Sequence, residues 1–218
     1  MHEAGHALYD QGLDPKYRNT SLGRPTSLAV HESQSRFWEN LIGRSEAFWQ
    51  FAFPIVQMLF PEHLANLSLD QFYHGINRVE PSLIRIEADE ATYNLHIMLR
   101  FEIETGLMEG KLQTKDLPDI WNSRMQAYLG VTPPDYSSGV LQDVHWSGGM
   151  IGYFPTYALG NLISAQWWEK MVADHPDIPN EIASGNFAPV LVWMRENVHR
   201  YASRYDPQEL VQKITGSR

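Results

Sequence analysis

Residues 1–12 read MHEAGHALYDQG, and the pentapeptide HEAGH at residues 2–6 is the strongest signal in the chain. Positions i and i+4 lie one turn apart on the same face of a helix, so the imidazoles of His2 and His6 can reach one metal ion. Glu3 then lies beside them, where it can take a proton from a metal-bound water. At this composition such a pentapeptide is expected by chance only about 0.025 times. The pattern therefore indicates a zinc site; the alternative is a solvated helix face that carries these residues by coincidence.

Outward from this stretch, helical periodicity dominates the chain and predicts a mainly α fold. The first helix is predicted at 1–13, and Pro81 in a first-turn position predicts a long helix from there to about residue 106. Ser68 and Gln71 form a capping-box pattern that opens another helix. Further helices are predicted at about 31–53, 115–129, 150–174, 188–203 and 207–215. The Gly- and Pro-rich stretch 130–149 is predicted to lack regular structure.

Length and composition exclude several classes of protein. The 218 residues suffice for one large domain or two small ones, and 43% hydrophobic residues exclude a disordered chain. The 26 acidic residues outnumber the 17 basic ones, and the resulting net charge of −9 would repel a nucleic-acid backbone. The absence of cysteine excludes disulfides, thiolate zinc sites and a cysteine nucleophile.

Nothing in the sequence predicts a membrane protein. The most apolar stretch, residues 48–60, is short and contains Gln50, Pro54 and Gln57, whereas a membrane span needs about 20 apolar residues. The first residues contain neither a basic segment nor an apolar run, so no signal peptide is predicted. A cytoplasmic location is the expectation.

Glu32 is the best candidate for a third metal ligand. A catalytic zinc usually has three protein ligands and one position open to water. Glu32 lies 26 positions after His6, at the start of the next predicted helix, as is typical of gluzincin peptidases. Glu39 and Glu46 are alternatives on that helix, but they fit an exposed stripe better. His31 is either a ligand or, as we favour, a neighbour that orients one.

Four motifs resemble those of one known family. They are HEAGH at 2–6, HES at 31–33, IRIEAD at 84–89 and GVLQDVHW at 139–146. In this order they resemble the carboxypeptidase Taq family of metallocarboxypeptidases, and the resemblance covers almost the whole chain. It implies an all-α, neurolysin-like gluzincin fold with a deep groove, and hydrolysis of the C-terminal bond of peptides.

The resemblance also implies a role for each residue of the metal site. By position, His2, His6 and Glu32 match the metal ligands, and Glu3 matches the general base that acts on a zinc-activated water. The implied cofactor is zinc, for which cobalt or another divalent metal can substitute.

Arg85, in the third motif, is the candidate for binding the terminal carboxylate of the substrate. The planar fork of arginine suits a carboxylate, and the residue is predicted to lie on a helix that faces the groove. The alternative is a salt bridge to Glu87, Asp89 or another acid.

The glycine-rich segment around the fourth motif supplies the remaining candidates. His145 could donate to the oxyanion that forms when water attacks the carbonyl, or grip the substrate backbone, and Tyr153 is a further oxyanion donor. Gln142 is a candidate for substrate binding, and Asp143 could orient His145 or a zinc ligand. The alternatives are a hydrogen-bonded cluster that stabilises the loop and an ordinary core tyrosine.

The chain departs from the family in length. Family members are longer and carry the zinc helix near the middle, so we expect residues 1–218 to form a single helical catalytic portion without the family's N-terminal half. The alternative function is therefore a catalytically inert remnant that acts as a metal-binding or interaction module. Expected partners are a peptide with a free C-terminus and, by the resemblance, a second copy in a homodimer; nucleic acid and membrane are not expected.

Overall fold

The computed structural model describes residues 1–216, which divide into two compact units. The first unit contains residues 1–76 together with the chain from residue 159 onward, and the second contains Asn77–Ala158. The described residues form helices and loops with no β-strand, so the predicted mainly α class is confirmed. No helix within 1–216 combines the length and the apolar character that crossing a bilayer requires.

Residues 1–216 contain eleven α-helices. They are α1 (His2–Gly12), α2 (Leu28–Arg36), α3 (Glu46–Leu59), α4 (Pro61–Leu64), α5 (Leu69–Ile76), α6 (Tyr93–Met108), α7 (Leu117–Leu129), α8 (Pro155–Asp174), α9 (Ile178–Ala183), α10 (Ala188–Asn197) and α11 (Pro207–Thr215). Helices α6 and α7 and the first turn of α8 belong to the second unit; the others, and the rest of α8, belong to the first.

The first unit is built around the packing of α1 and α2. Helix α2 begins after Ser27, whose hydroxyl accepts a hydrogen bond from the backbone N–H of Val30 at 3.1 Å. Tyr9 on α1, Phe37 beyond α2 and Trp167 on α8 are fully buried in one hydrophobic cluster. Such buried aromatic surface is the largest stabilising contribution in a domain of this size. The cluster thereby holds α1 against α2.

The second unit has its own core. Leu99 and Ile103 on α6 pack against Trp121 and Met125 on α7, and all four are buried. The segment 130–149 contains turns but no regular element, as predicted. It lies against this core because its fourth-motif residues hydrogen-bond to the segment before α6, as described below.

The prediction of one continuous helix over residues 31–53 is wrong. Helix α2 continues into a wider π-helical segment, Phe37–Ile42, in which Gly43 N–H donates to the carbonyl of Trp38 at 3.0 Å. The chain then turns, and α3 starts afresh because the Ser45 hydroxyl accepts from the N–H of Phe48 at 3.1 Å. The predicted helix therefore becomes two helices joined by a π-helical segment.

The predicted helix starting at Pro81 is wrong in its first half, since α6 begins only at Tyr93. Asp89 holds the preceding segment in a turn: its carboxylate accepts hydrogen bonds from the backbone of Glu80, Ala91 and Thr92, and from the Thr92 hydroxyl. These bonds replace the intrahelical ones that a helix through this segment would need. Arg85 consequently lies in a single 3₁₀ turn, not on a long helix.

Several local predictions are confirmed. The first helix ends at Gly12, and the capping box at the start of α5 forms in both directions between Ser68 and Gln71. The helix predicted at 207–215 is α11. The helix predicted at 150–174 starts only at Pro155, and the helix predicted at 188–203 already ends at Asn197. The short helices α4 and α9 were not predicted.

Candidate metal centre

Gly5 brings the backbones of α1 and α2 together. A Cβ atom at this position would lie 2.5 Å from the carbonyl oxygen of Gln34 and 2.6 Å from the Cα of Ser35, closer than side-chain carbon atoms approach such groups. Only glycine therefore permits this packing. The consequence is that His2 and His6, on either side of Gly5 in sequence, face Glu32 on α2.

His2, His6 and Glu32 converge on one point. One ligand atom from each lies within 4.8 Å of the others. The Nε2 atom of His2 is 3.8 Å from Oε1 of Glu32, and the Nε2 atom of His6 is 3.5 Å from Oε2. Glu32 is buried and the two imidazoles are half-buried. Two imidazoles and a carboxylate form the donor set of a three-ligand catalytic zinc site, so these residues fit such a metal.

Glu32 is held from behind by α8. A Cβ atom at Gly160 would lie 2.7 Å from the Cγ atom of Glu32. The glycine therefore leaves room for the carboxylate to reach the two histidines without a change of rotamer.

Glu39 contacts the metal site directly, contrary to its predicted place in an exposed stripe. Its Oε2 atom lies 2.6 Å from Nδ1 of His2, and since a carboxylate can only accept, His2 donates this bond. Arg36 lies between the two acids: its Nε donates to Oε1 of Glu32 and its Nη1 donates to Oε2 of Glu39, each at 3.2 Å. Glu46, the other alternative ligand, is exposed on α3.

His31 contacts the second histidine of the site. Its Nδ1 atom lies 2.6 Å from Nδ1 of His6, and its Nε2 atom lies 3.3 Å from a carboxylate oxygen of Asp10. His6 thus keeps Nε2 for the point shared with Glu32. The geometry agrees with His31 as a neighbour that orients a ligand.

Charge and burial act differently on the three candidate ligands. The hydrogen bond to Glu39 raises the pKa of His2 above its ordinary value. Burial, with the neighbouring His31, lowers the pKa of His6, and burial raises the pKa of Glu32. Because a metal binds the deprotonated forms, it competes with a proton chiefly at His2 and Glu32.

Glu3 lies in the first turn of α1, next to His2, and is exposed. This exposure leaves its carboxylate accessible to water. Its place in the sequence, directly after His2, is that of the base in a His-Glu-x-x-His helix.

The third and fourth motifs meet in the second unit. Arg85 is buried, and its guanidinium donates to Asp143, from Nε at 3.1 Å and from Nη2 at 2.6 Å, and to the Tyr93 hydroxyl at 2.9 Å. The fully buried Arg100 donates to the same carboxylate at 2.6 Å. Burial alone would raise the pKa of Asp143, but the two guanidinium groups hold it below its usual value.

These contacts match the salt-bridge alternative for Arg85, with Asp143 as the acid. Within the described part of the chain, one N–H on each terminal nitrogen of Arg85 is still without an acceptor. Both N–H groups could donate to a further acceptor without breaking the pair with Asp143, although the side chain as a whole is buried.

Gln142 has no hydrogen-bonding capacity left for a substrate. Its Oε1 atom accepts from the Arg85 backbone at 2.9 Å and from Arg100 at 2.7 Å. Its Nε2 atom donates to the carbonyls of Leu83 and Ser138, at 3.0 and 2.9 Å. An amide side chain makes four such bonds at most. The contacts therefore favour a structural role for Gln142 over the predicted substrate contact.

His145 is buried beside two tyrosines. Its Nε2 atom lies 3.0 Å from the hydroxyl of Tyr157, and the rings of His145 and Tyr153 are 5.5 Å apart. Its Nδ1 atom lies 3.7 Å from Asp143, too far for a hydrogen bond. Burial lowers the pKa of His145, so its imidazole is neutral near pH 7 and carries one N–H donor.

The two clusters contain residues of all four motifs of the resemblance, and the comparison with known families shows which family the chain belongs to. The profile of the family described as carboxypeptidase Taq (M32) metallopeptidase matches residues 1–218. The chain belongs to this family. Membership in a metallopeptidase family implies a divalent metal ion, in agreement with the donor set on α1 and α2.

Named carboxypeptidases of the family are similar to the chain at high identity. Thermostable carboxypeptidase 1 of Thermus thermophilus is 50% identical over 216 residues, which are 99% of this chain and 42% of that protein. Carboxypeptidase 1 of Bacillus subtilis is 44% identical over 216 residues, which are 99% of this chain and 43% of that protein. The crystal structure of the M32 carboxypeptidase from Deinococcus radiodurans R1 has a TM-score of 0.95 at 46% identity, with 99% of this chain and 44% of that one covered. The chain thus spans less than half the length of these family members.

Four residues near the candidate sites were not predicted to belong to them. Glu39 and Arg36 follow Glu32 at i+7 and i+4, a helical spacing that places all three on one face and could have identified them. Arg100 and Tyr157 lie 43 residues before Asp143 and 12 after His145, and no local pattern links them to those partners.

Proposed function

We propose that the chain is the catalytic portion of a zinc metallocarboxypeptidase that removes residues from the C-termini of peptides. The observation that carries this proposal is the convergence of His2, His6 and Glu32 beside Glu3, in a chain of the carboxypeptidase Taq family. The homodimer implied by the resemblance and the cytoplasmic location expected from the sequence stay predictions.

The two histidines would hold the zinc ion through their Nε2 atoms, and Glu32 through its carboxylate. When bound, zinc polarises a carbonyl and lowers the pKa of water, which makes hydrolysis possible at neutral pH. The protein's own contribution is orientation: each histidine already has a partner at Nδ1, which leaves Nε2 directed at the shared point.

Glu3 would act as the general base. Its exposed carboxylate takes a proton from the attacking water and returns it to the leaving amine. Both transfers use the same oxygen atoms, so the side chain must stay accessible to water and substrate throughout the reaction.

The cluster of the second unit would bind the substrate. The two terminal N–H groups of Arg85 suit the free carboxylate of a peptide, and Asp143 and Gln142 would act as positioning residues that hold Arg85. His145 and Tyr153 are the proposed donors to the oxyanion.

The test compares hydrolysis of a blocked dipeptide with a free C-terminus and of its amidated counterpart, together with the metal content of the protein. We expect one zinc per chain, cleavage of the free acid only, and loss of cleavage in Glu3→Gln with zinc retained. Glu46→Gln removes the same charge from an exposed helix position and should be fully active.

Other outcomes identify the alternatives. Zinc binding without cleavage would favour the inert metal-binding module. Equal cleavage of the acid and the amide would argue for an endopeptidase and against the role of Arg85. Arg85→Lys would then leave the ratio of the two cleavage rates unchanged.

A further inference from the structure

The metal site is backed by a continuous arc of hydrogen-bonded side chains from α1, α2 and the π-helical segment after α2. The arc runs from Nδ1 of His2 to Oε2 of Glu39, from there to Nη1 of Arg36, and from Nε of Arg36 to Oε1 of Glu32. The first bond is 2.6 Å long, and the two from Arg36 are 3.2 Å each. The arc therefore begins and ends on candidate metal ligands.

We propose that Glu39 and Arg36 are positioning residues that fix the orientation of His2 and Glu32 for metal binding. This inference rests on metal binding at the site proposed above and adds two residues to it.

The direction of the hydrogen bond to Glu39 fixes the tautomer of His2. A carboxylate only accepts, so the bond to Glu39 requires the proton of His2 to be on Nδ1. The lone pair of Nε2 then faces Glu32, where the metal would bind. Without Glu39, the ring could turn or carry its proton on Nε2, and either change removes the donor atom.

The two carboxylate oxygens of Glu32 have different partners. Arg36 holds Oε1, and Oε2 lies 3.5 Å from Nε2 of His6. One oxygen is thus engaged by the protein and the other is directed at the metal site. Arg36 is itself buried, with its planar group shared between two acids, so neither carboxylate can swing freely.

The net charge of the ligands and the arc is negative. With neutral imidazoles, the ligands and the arc carry two carboxylates and one guanidinium, which leaves one net negative charge in a mostly buried site. A dication is then favoured, and Arg36 limits the repulsion between Glu32 and Glu39 that would otherwise drive the two acids apart.

Glu39 lies where α2 widens into a π-helical segment. Arg36 is the last residue of α2, and Glu39 lies in the first turn of the π-helical segment Phe37–Ile42. Single π-helical turns often occur at functional sites. Here the segment contains the partner of a candidate ligand.

The experiment measures zinc affinity by competition with a chromophoric chelator, and the visible absorption spectrum of the Co²⁺-substituted protein. We expect Glu39→Ala to weaken zinc binding about 10- to 100-fold and to change the Co²⁺ spectrum. Glu39→Gln keeps an acceptor oxygen for His2 and should restore part of the affinity. Glu46→Gln is the control of equal charge change on an exposed position and should bind zinc as the unchanged protein does.

Melting temperatures in EDTA separate positioning from general stability. The proposal expects Glu39→Ala to melt close to the unchanged protein without metal and to gain less from added zinc. Arg36→Lys, alone and combined with Glu39→Gln, should show losses of affinity that do not add, since both changes break one arc.

Two results would overturn the inference. One is zinc affinity of Glu39→Ala within threefold of the unchanged protein; the other is a loss of affinity matched by an equal loss of stability in EDTA. If the unchanged protein itself binds no zinc, the proposed function fails first, and the arc then has no metal site to position.

Discussion

Gly5 determines how closely the two helices of the metal centre approach. In Gly5→Ala the new methyl group would lie 2.5 Å from a backbone oxygen of Gln34, and a backbone neighbour cannot move aside alone. We expect the free energy of unfolding in EDTA to fall by about 1–3 kcal/mol, the usual cost of overpacking, and zinc affinity to fall as α1 is displaced from Glu32. Urea unfolding and chelator competition measure the two effects.

Gly75 provides the control for this substitution. It lies in helix α5, and a Cβ atom there would have nothing within 4 Å. Gly75→Ala should therefore be neutral or stabilising by about 0.5–1 kcal/mol. An equal loss of stability in both variants would show that the close approach of α1 and α2 is not what Gly5 provides.

His199 predicts a pH dependence of stability. It is fully buried, its Nε2 atom lies 2.9 Å from the amide oxygen of Gln34, and its Nδ1 atom has no partner among the described residues. Burial, with the charge of Arg195, lowers its pKa to about 3. The imidazole of the unfolded state therefore takes up a proton at a higher pH than that of the folded state. The contribution of neutral His199 to the free energy of unfolding is fully present above pH 6.5 and is lost as the pH falls toward 3, by about 1.4 kcal/mol per pH unit.

His199→Gln tests this directly. Glutamine can still donate to Gln34 but does not titrate, so the variant should lose about 2 kcal/mol less than the unchanged protein between pH 7 and pH 5. Urea unfolding in EDTA at both pH values keeps metal binding out of the comparison. Identical pH dependence in the two proteins would exclude His199 as the titrating group.

At the residue scale, the sequence was informative where a motif carries its own geometry. The i, i+4 spacing of His2 and His6 predicted their common face, and Glu32 was predicted from its position on the next helix. Glu39 was assigned to an exposed stripe because polar residues on a helix usually face water. Its contact depends on α1 packing against α2, which the local pattern does not contain.

At the scale of elements, Asp89 decides where α6 begins. Periodicity and Pro81 predicted a helix through this segment. Neither pattern contains information about the four hydrogen bonds that the Asp89 carboxylate accepts from Glu80, Ala91 and Thr92. The same segment contains Arg85, whose backbone N–H donates to Gln142 and not to a helical carbonyl. Helix periodicity therefore identified α6 but misplaced its start, because the competing hydrogen bonds come from a side chain and from a distant loop.

Asp89→Ala should destabilise the second unit. The change removes the acceptor of three backbone N–H groups, of which that of the buried Thr92 is left unpaired, and this costs about 1–3 kcal/mol. We expect a matching drop in the urea midpoint, whereas Glu90→Ala, at the exposed neighbouring position, should change stability by less than about 0.5 kcal/mol. Equal effects of the two substitutions would contradict the capping role of Asp89.

At the scale of the whole molecule, the two candidate clusters belong to different compact units. The three candidate ligands and their partners lie in the first unit, and the cluster around Arg85 and Asp143 lies in the second. The sequence predicted the motifs but not this division, because α8 runs through the boundary between the units as one uninterrupted helix.

The division predicts where zinc will stabilise the protein. A ligand that binds only the folded state stabilises the elements that must be intact to form its site, by about 2.7 kcal/mol at a hundredfold excess over Kd. We expect zinc to slow amide hydrogen exchange by up to about 100-fold in α1, α2 and the part of α8 around Gly160, which packs on Glu32. Exchange in α6 and α7 should change little, since neither helix supplies a candidate ligand.

Glu32→Gln is the matched control for this exchange experiment. Loss of the third ligand should abolish the protection in α1 and α2, while the pattern in α6 and α7 stays as it was. Protection that spreads equally over both units would show that they unfold together, and the stability of the metal site would then be a property of the whole chain. Protection confined to the first unit would instead mean that metal binding stabilises that unit alone.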